Sequence, residues 1–477
     1  MPHPSRSIEI TDPLLLDLGA LADRCGVELY VVGGYVRDYL RRAERTDIDC
    51  TVVGDSLDFA REVAQHFRSR PVIYERFRTA MVPVGEYKLE FVGTRREEYE
   101  PGSRNPIVSE GTLDDDLARR DFTVNAMAAR LNSAHRGELI DRFDGLGDLE
   151  RGLLRTPLDP ETTFNDDPLR MMRAARFSSQ LNFELDEAAM RAMQSMSDRI
   201  KIVAQERITD EFMKTMAAPV PSIGLRIMYF SGLLKHVFPE VYRLAGVDVV
   251  SEGSQEYAHK DVFFHTLKVL DNVAEMTDNV WLRFAALMHD IAKPRTKKFI
   301  QGTGWTFHGH EDLGARWQKR IFRTLKLPMA HLDYVQTLVS LHQRPMVLVD
   351  DGVTDSAVRR LIVQAGEALD DLFLLCRADI TSRNPARVTR YLRNYDLVYD
   401  KIREVREKDQ LRAFQSPVRG EEIMQICELK PSRLVGVIKT NIEEAILDGQ
   451  IPNEYEAAKK YLLDHKDEWM ADAVRNS

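Results

Sequence analysis

Two aspartates stand two positions apart in the segment DIDCTVV, residues 47–53. If this segment is a β-strand, the side chains of Asp47 and Asp49 point to the same face of a sheet. Two carboxylates on one face repel each other unless a cation lies between them, and Mg²⁺ prefers oxygen ligands. Paired Mg²⁺ ions can activate an attacking hydroxyl group and stabilise a leaving pyrophosphate. These aspartates, with Glu90 in the apolar strand KLEFV, are candidate catalytic residues, although each also fits a solvent-facing strand position.

A pair of glycines precedes a predicted helix in the segment VVGGYVRDYL. Gly33 and Gly34 follow a strand, and glycine lets the backbone approach a ligand closely. The free N–H groups at the start of the helix would suit a phosphate group. Taken alone, the pair is equally consistent with a simple turn.

A series of histidines occupies the middle of the chain, and one of them is followed directly by Asp290. The four members of the series are His265, His289, His310 and His342. Imidazole and carboxylate ligands suit Mn, Fe, Ni or Zn, and such a metal can activate water for attack on phosphorus. A lone buried histidine is more often a satisfied core residue, so only the combined series indicates a metal site.

The elements that must position these residues divide the chain into an α/β head and a mostly helical remainder. Short β-rich runs alternate with helical runs up to residue 150, and strand patterns nearly stop beyond residue 155. The segment 246–255 has the composition of a linker. We therefore predict a head (1–150), a helical neck (151–250), a histidine-rich helical domain (256–390) and a helical C-terminal region (391–477).

The composition is that of a globular protein in a reducing compartment. The 477 residues are 44% hydrophobic, which allows sizeable cores, and the four cysteines form no CxxC pair. We find no apolar stretch of about 18 residues and no signal-peptide core, and so expect a cytoplasmic protein without membrane association. The net charge of −9 argues against indiscriminate binding to nucleic acid but leaves room for a local basic face.

A basic and aromatic helix is predicted at the start of the C-terminal region. Arg387 and Arg390 begin a series of cations, and Tyr391, Tyr395 and Tyr399 follow at four-residue steps. Such a combination can hold RNA through phosphate contacts and base stacking. Acidic residues interleave with the cations, so the favoured interpretation is an ion-paired helix whose tyrosines pack inward.

The segment GGYVRDYL, followed by DIDCTVVGD, resembles the nucleotidyltransferase superfamily of DNA polymerase beta. More narrowly, roughly residues 27–215 resemble class II tRNA CCA-adding enzymes and bacterial poly(A) polymerases, in motifs that occur in the same order. The resemblance implies a palm-like head that uses Mg²⁺ and binds nucleotide near Gly33, Gly34 and Arg37. It also implies that CTP and ATP are the substrates and that tRNA is the acceptor.

The segment DLARRDFTVNAMA resembles the family element that binds the ribose and triphosphate of the incoming nucleotide through Arg119, Arg120 and Asp121. Guanidinium groups form bidentate bonds with phosphate oxygens, although a helix-capping ion-pair cluster has the same composition. The segment DRFDGLGDL matches an element for which the family implies a hinge between head and neck. Its matching residues are Asp141, Gly145, Asp148 and Leu149.

The segment NDDPLRMMRAARF resembles the family element whose Asp and Arg bind the edge of the incoming base. Asp167 and Arg170 hold these positions, and Asp166 replaces the usual Glu. We predict that Asp167 and Arg170 share one helix face, where together they would select C and A over U and G. Further matches along the neck are the candidate nucleotide or RNA contacts Arg173 and Arg176, and the pair Glu206 and Arg207.

The histidine series resembles the HD domain of metal-dependent phosphohydrolases, whose ligand set is His, His-Asp and a distant Asp. The residues that fill this set are His265, His289, Asp290 and Asp379. His310 and His342, with His308, are candidates for a second metal ion. Many relatives keep the region only as a helical scaffold. A complete set implies phosphatase or 2′,3′-cyclic phosphodiesterase activity on RNA ends, which suits a transferase because a 3′-phosphate blocks nucleotide addition.

The leading interpretation is a CCA-adding tRNA nucleotidyltransferase with an attached HD domain. The long segment 94–117 favours full CCA addition, because related CC-only enzymes tend to be shortened there. The alternatives are a poly(A) polymerase, a CC-only or A-only enzyme, and an HD phosphohydrolase whose head only binds RNA. The sequence does not predict the oligomeric state.

Overall fold

The computed structural model divides the chain into two compact units, residues 1–243 and 244–477. No helix in the described part of the chain is long and apolar enough to cross a membrane. The residues that the structure describes are 7–43, 47–75, 78–98, 107–246, 249–252, 255–258, 261–350, 354–382, 384–409 and 416–475.

A seven-stranded mixed sheet lies at the centre of the first unit. The strands of this unit are β1 (Glu28–Val32), β2 (Asp47–Val53), β3 (Val72–Tyr74), β4 (Thr79–Val84), β5 (Tyr87–Gly93), β6 (Arg95–Glu98), β7 (Ile107–Glu110), β8 (Met127–Arg130), β9 (Leu139–Asp141), β10 (Leu153–Leu154) and β11 (Glu184–Leu185). The sheet order is β3-β4-β5-β2-β1-β8-β9, and only β2 and β5 pair in parallel. The predicted α/β head is confirmed, and the predicted strand 47–53 has the bounds of β2.

The helices of the first unit cover the sheet and then continue as a helical neck. They are α1 (Pro13–Cys25), α2 (Gly34–Leu40), α3 (Ser56–His66), α4 (Leu113–Ala118), α5 (Gly145–Arg151), α6 (Pro160–Asp166), α7 (Leu169–Leu181), α8 (Glu187–Met196), α9 (Gln205–Met216), α10 (Pro221–Phe230), α11 (Leu233–Val237) and α12 (Pro239–Tyr242). Ile48, Cys50 and Val52 are buried in the same apolar cluster as residues of α1 and α3. Because side chains alternate along a strand, Asp49 lies on the opposite face, where it is exposed.

The neck contains a break that the sequence pattern did not predict. The expected continuous helix through DDPLRMM is wrong, because α6 ends at Asp166 and α7 begins at Leu169. Asp167 has extended backbone angles (φ −136°, ψ 100°), since a residue before proline is disfavoured in the helical region. Asp167 and Arg170 therefore do not share a helix face, but the Arg170 N–H donates to the Asp167 carbonyl at 3.0 Å and keeps them one turn apart.

The second unit is mostly helical, as predicted. Its helices are α13 (Val262–Met276), α14 (Val280–Met288), α15 (Lys293–Thr296), α16 (His310–Thr324), α17 (Leu332–Leu341), α18 (Arg344–Asp350), α19 (Asp355–Ala365), α20 (Leu369–Ala378), α21 (Pro385–Asp409), α22 (Gly420–Ile426), α23 (Arg433–Leu447) and α24 (Tyr455–Arg475). The segment predicted as a linker instead contributes to a hairpin of β12 (Val249–Glu252) and β13 (Gln255–Ala258). A second hairpin of β14 (Lys298–Ile300) and β15 (Gly304–Thr306) interrupts the region predicted as helical.

Candidate functional site

Two of the predicted head carboxylates lie side by side on the exposed face of the sheet. Asp49 in β2 is the register partner of Glu90 in the parallel strand β5. Burial raises the pKa of Glu90, the charge of Asp49 raises it further, and Arg95 and Arg120 oppose the shift. Asp47 begins β2 two residues earlier, but its side chain lies outside the described positions. The strand pairing thus creates a surface with excess negative charge, which a divalent cation would neutralise.

The predicted glycine turn lies against one of the predicted arginines. Gly33 has a φ of +67°, and a Cβ atom added there would come within 2.8 Å of Nη1 of Arg120. Gly34 then begins α2, and a Cβ on it would lie 3.6 Å from Nη2 of Arg37. The positive φ favours glycine at position 33, and a side chain there would also displace the Arg120 guanidinium. The turn therefore brings the start of α2 and the Arg120 guanidinium together.

A buried aspartate that sequence reasoning missed holds the two consecutive arginines. Asp116 accepts from Nε of Arg119 at 2.9 Å and from Nη2 of Arg120 at 3.3 Å. It also accepts from Oγ1 of Thr51, on β2 two residues beyond Asp49, at 3.1 Å. Burial alone would raise the pKa of Asp116, but the two guanidinium groups lower it. The spacing of Asp116 three and four residues before the arginines was the available signal, since such pairs are neighbours on a helix.

Asp121 connects the head to the neck. Its carboxylate accepts from Nε of Arg173 on α7 at 2.7 Å and from Nδ2 of Asn125 at 3.0 Å. The Asn125 amide oxygen in turn accepts from Nη1 of Arg37 at 2.7 Å, and Arg37 also binds Asp38 through two nitrogens. Burial would raise the pKa of Asp121, but the charge of Arg173 and the hydrogen bond from Asn125 lower it to about 2.

The change Asp121→Asn is expected to destabilise the first unit by roughly 2–3 kcal/mol at pH 7, the linkage value of a pKa lowered from 3.8 to about 2. In calorimetry, the unfolding midpoint of this unit should fall by roughly 5–10 °C. Because the folded-state pKa is depressed, the stabilisation exists above the ordinary pKa and disappears as the pH falls towards 2, so the difference from wild type should shrink below pH 4. The control Asp210→Asn removes an exposed carboxylate of α9, and an equal effect there would contradict this role for Asp121.

The two residues predicted to read the base occupy the break between α6 and α7. Oδ1 of Asp167 accepts from the N–H of Leu169 at 3.2 Å, and Oδ2 lies 3.6 Å from Nη2 of Arg207 on α9. Arg170 donates to the carbonyl of Arg119 and, at 3.2 Å, to that of Thr163. The hydrogen bond to the Arg119 carbonyl thus holds Arg170 beside the segment that carries the predicted triphosphate-binding arginines.

Arg176 lies near Arg37 and Arg173, because all three guanidinium groups approach the ring of Phe177, but its own bonds are made inside the neck. Its Nε donates to the buried Glu211 of α9 at 2.5 Å, and its Nη1 donates to Gln180 at 2.9 Å. Its guanidinium lies 3.9 Å from the ring centroid of Phe177. These contacts place Arg176 inside the packing of the neck, so its nucleotide contact stays a prediction.

The predicted hinge element is tightly bonded. Both oxygens of Asp141 accept from N–H groups at the start of α5, including that of Gly145 at 2.7 Å. A Cβ atom on Gly145 would lie 2.3 Å from the carbonyl oxygen of Thr123. The fully buried Asp148 accepts from Oγ1 of Thr123 at 2.6 Å and pairs with Arg155 at 2.8 Å. This element fixes α5 against the Thr123 segment.

The predicted metal-ligating residues meet in the second unit. They form two groups whose members could each bind one metal ion, the first of His265, His289 and Asp379 and the second of Asp290, His310 and His342. Asp290 joins the groups, because its Oδ2 lies 3.1 Å from Nε2 of His289 and its Oδ1 lies 3.2 Å from Nε2 of His310. His308 is exposed and belongs to neither group.

Backbone carbonyls fix the tautomers of three of these histidines. Nδ1 lies 2.6 Å from the Ala286 oxygen for His289, 2.8 Å from that of Phe307 for His310, and 2.7 Å from that of Val339 for His342. A carbonyl only accepts, so Nδ1 carries the hydrogen, and in the neutral ring Nε2 presents a lone pair towards Asp290. This arrangement is typical of metal-binding histidines.

Two buried atoms at the centre of the cluster fit a metal site. Nε2 of His289 and Oδ1 of Asp290 make no hydrogen bond within the described part of the chain. Burial, followed by the proximity of His289, lowers the pKa of His342 to about 4 and keeps that ring neutral. Burial would lower the pKa of His289, but the charge of Asp290 raises it, and Nζ of Lys293 lies 2.6 Å from Oδ2 of Asp290. Oδ1 of Asp290 and Nε2 of His289 thus remain as buried donor atoms that a cation would satisfy. The donor set therefore suits divalent metal ions.

A cavity of about 1100 Å³ opens at this cluster. Besides His265, His342 and Asp379, its lining includes Lys293, Trp305, Arg387, Arg390 and Tyr391.

The helix α21 was predicted to be ion-paired, and Arg403 and Asp400 do pair at 3.1 Å. Tyr395 is buried as expected, but the inward packing predicted for Tyr399 is wrong, because its ring is exposed and its hydroxyl contacts Asp370 at 3.0 Å.

Family models match three successive parts of the chain. Residues 29–155 match the poly A polymerase head domain, residues 182–244 match the probable RNA and SrmB-binding site of polymerase A, and residues 262–384 match the HD domain. Structural neighbours include the CCA-adding enzyme of Thermotoga maritima in complex with tRNA, with a TM-score of 0.59 and 21% identity over 97% of this chain and 99% of that one. This likeness confirms the fold.

Two curated relatives show the family. An A-adding tRNA nucleotidyltransferase of Deinococcus radiodurans is 31% identical over 437 residues, which cover 90% of this chain and 93% of that protein. A multifunctional CCA protein of Methylococcus capsulatus is 32% identical over 374 residues, or 75% of this chain and 82% of that protein. The chain therefore belongs to the tRNA nucleotidyltransferase and poly(A) polymerase family of enzymes, in a form that carries an HD domain, and the resemblance inferred from the sequence is confirmed.

Proposed function

We propose that this enzyme adds CCA to the 3′ end of tRNA from CTP and ATP. The observation that carries the proposal is the pairing of Asp49 with Glu90 on the exposed face of the head sheet, beside a glycine turn held against Arg120. Asp47, Asp49 and Glu90 would hold Mg²⁺ at this face. Bound Mg²⁺ lowers the pKa of the attacking 3′-hydroxyl and neutralises charge on the triphosphate.

The side chains and backbone of the protein would orient the triphosphate and the attacking hydroxyl. The N-terminus of α2, which begins at Gly34, and the guanidinium of Arg120 bind the triphosphate through N–H donors. Asp116 fixes that guanidinium, and the bonds between Asp121 and Arg173 set the position of α7 relative to the head. Alignment of the hydroxyl with the α-phosphate is then a matter of positioning, which accounts for much of the catalysis of nucleotidyl transfer.

Nucleotide choice is assigned to the break between α6 and α7. The Asp167 carboxylate accepts from the exocyclic amine that C and A share, and the Arg170 guanidinium donates to their ring acceptors. The backbone bond at 3.0 Å keeps the two residues one turn apart, and Arg170 would exchange its bonds to the carbonyls of Thr163 and Arg119 for the base. In the present structure, the ion pair of Asp167 with Arg207 is long, at 3.6 Å, and leaves the carboxylate able to exchange partners.

The extent of addition distinguishes this proposal from its alternatives. The relative from Deinococcus radiodurans is named as A-adding and the one from Methylococcus capsulatus as a CCA protein, so addition of A alone is the main alternative. The segment 94–117 favours CCA, although residues 99–106 within it lie outside the described part of the chain.

The test is extension of a tRNA transcript that lacks its three 3′-terminal nucleotides, with Mg²⁺ and with CTP, ATP or both. Three additions that need both nucleotides, followed by a stop, are the expected result. A transcript ending in CC should accept A and then stop. Addition only to this second transcript would indicate an A-adding enzyme, and a long tail from ATP alone would indicate a poly(A) polymerase.

A second activity is favoured by the six-residue cluster of the second unit. The buried carboxylate of Asp290 lies within 3.8 Å of Nε2 of His265, His289, His310 and His342. These side chains would hold one or two ions of Mn, Fe, Ni or Zn, which supply an activated water for attack on phosphorus. The activity is hydrolysis of phosphate esters at RNA ends, as a phosphatase or a 2′,3′-cyclic phosphodiesterase. A phosphatase would free the 3′-hydroxyl by removing a 3′-phosphate, whereas a cyclic phosphodiesterase would free it by breaking the bond between phosphorus and O3′, which leaves a 2′-phosphate.

A further inference from the structure

The cavity beside the metal-ligating cluster is cationic, although the whole chain carries a net charge of −9. Lys293, Arg387 and Arg390 line it, and among the described residues of its lining the only carboxylate is that of Asp379. Lys293 pairs with the buried Asp290 at 2.6 Å, so Arg387 and Arg390 supply the positive charge of the cavity wall. Asp379 belongs to the predicted metal site and would be neutralised there. The rest of the charged lining therefore favours an anion.

The cavity wall also offers aromatic faces next to these cations. Trp305 on β15 and Tyr391 on α21 are both half-buried, so part of each side chain remains accessible. The guanidinium of Arg390 lies 5.3 Å from the ring centroid of Tyr391. Cations interleaved with accessible aromatic rings bind single-stranded nucleic acid, because phosphates meet the cations and bases stack on the rings.

The spacing along α21 places these groups on one side of the helix. Arg390 and Tyr391 lie three and four residues after Arg387, Asn394 lies four and three residues after them, and all four line the cavity. The cavity volume of about 1100 Å³ lies at the upper end of the range of about 300–1,000 Å³ that is typical of small-molecule sites. The cavity therefore has room for more than a single phosphate.

We propose that this cavity binds the last nucleotides of a single-stranded RNA 3′ end, with Arg387 and Arg390 on the internucleotide phosphates and Trp305 and Tyr391 against the bases. The inference rests on the proposed hydrolytic function, and it names the substrate class of that site as an RNA end and not a free nucleotide. Arg387 and Arg390 are then specificity-determining residues, because they contact phosphates other than the one that reacts.

The test is equilibrium binding of a fluorescein-labelled hexaribonucleotide with a free 3′-hydroxyl, measured with the full chain in the presence of Mn²⁺, since this RNA end carries no terminal phosphate to be hydrolysed. The double change Arg387→Gln and Arg390→Gln is expected to raise Kd by about 10–100-fold and to lower the slope of log K against log salt by about 1–2. The matched control Arg393→Gln removes an exposed cation of the same helix that does not line the cavity, and it should leave Kd within about twofold. Quenching of tryptophan fluorescence by unlabelled RNA should weaken in Trp305→Phe.

Two results would overturn the proposal: a double variant that binds the hexanucleotide as tightly as wild type, or cytidine 3′-monophosphate that competes as well as the hexanucleotide. Hydrolysis is followed separately, with p-nitrophenyl phosphate and Mn²⁺ or Ni²⁺. If the ester is not hydrolysed but the arginine dependence of binding holds, the proposed hydrolytic activity fails and the RNA site stands. If the ester is hydrolysed and the arginine dependence is missing, the hydrolase stands and the RNA site is refuted.

Discussion

Replacement of Asp49 by Asn is expected to slow nucleotide addition by about 10³-fold or more, because it removes a charge that no neighbouring group replaces at the reacting phosphate. Asp49 is exposed on β2 opposite Glu90, so its carboxylate is available to a cation and not to the core. Glu90 is itself one of the proposed Mg²⁺ ligands, so it cannot also take the place of the lost Asp49 carboxylate. The measurement is the single-turnover rate of CTP incorporation into a truncated tRNA at saturating enzyme.

Stability separates a catalytic effect from an unfolded protein. Loss of the Asp49 charge relieves its repulsion of Glu90, so the unfolding midpoint of Asp49→Asn should equal or exceed that of wild type. Asp17→Asn, which removes an exposed carboxylate of α1, serves as the control and should keep the full rate. A variant of Asp49 that folds and keeps more than about a tenth of the rate would contradict the assignment of the metal site.

The pairing of Asp49 with Glu90 shows where sequence reasoning stopped. The alternation of apolar and polar residues in DIDCTVV was sufficient to predict β2 and its exposed face, since that information is local. The register of β2 against β5 joins residues about forty positions apart and depends on how the whole sheet packs. Glu90 could therefore be proposed as a third carboxylate, but its position beside Asp49 required the structure.

Burial explains two further differences from the sequence predictions. Asp114, Asp115 and Asp116 are consecutive, yet only Asp116 is buried, because α4 turns that residue towards β2. No composition rule distinguishes the three. In the second unit, the cavity cations Arg387 and Arg390 lie on α21, where interleaved acids favoured an ion-paired helix. The acidic residues that form ion pairs within the helix, Asp400 and Glu404, lie further along α21. The cations in the first turns of the helix therefore line the cavity.

The largest effect expected in the second unit is that of Asp290→Asn. This change should reduce bound Mn²⁺ or Ni²⁺ from two ions per chain towards none and lower hydrolysis of phosphate esters by about 10³-fold or more. The reason is that Asp290 lies within 3.2 Å of one histidine from each candidate metal group, His289 and His310, so it would serve both ions at once. An amide supplies no negative charge to offset two dications in a buried site.

Metal content after dialysis, measured by mass spectrometry, tests this shared role directly and without reference to activity. His308→Gln is the matched control, because that histidine is exposed and belongs to neither group, and it should retain both ions. Retention of one ion by Asp290→Asn would mean that His265, His289 and Asp379 form an independent site. Retention of both ions would mean that Asp290 is not a metal ligand. A proton, and not a metal ion, would then have to lie between its carboxylate and the four nearby histidines.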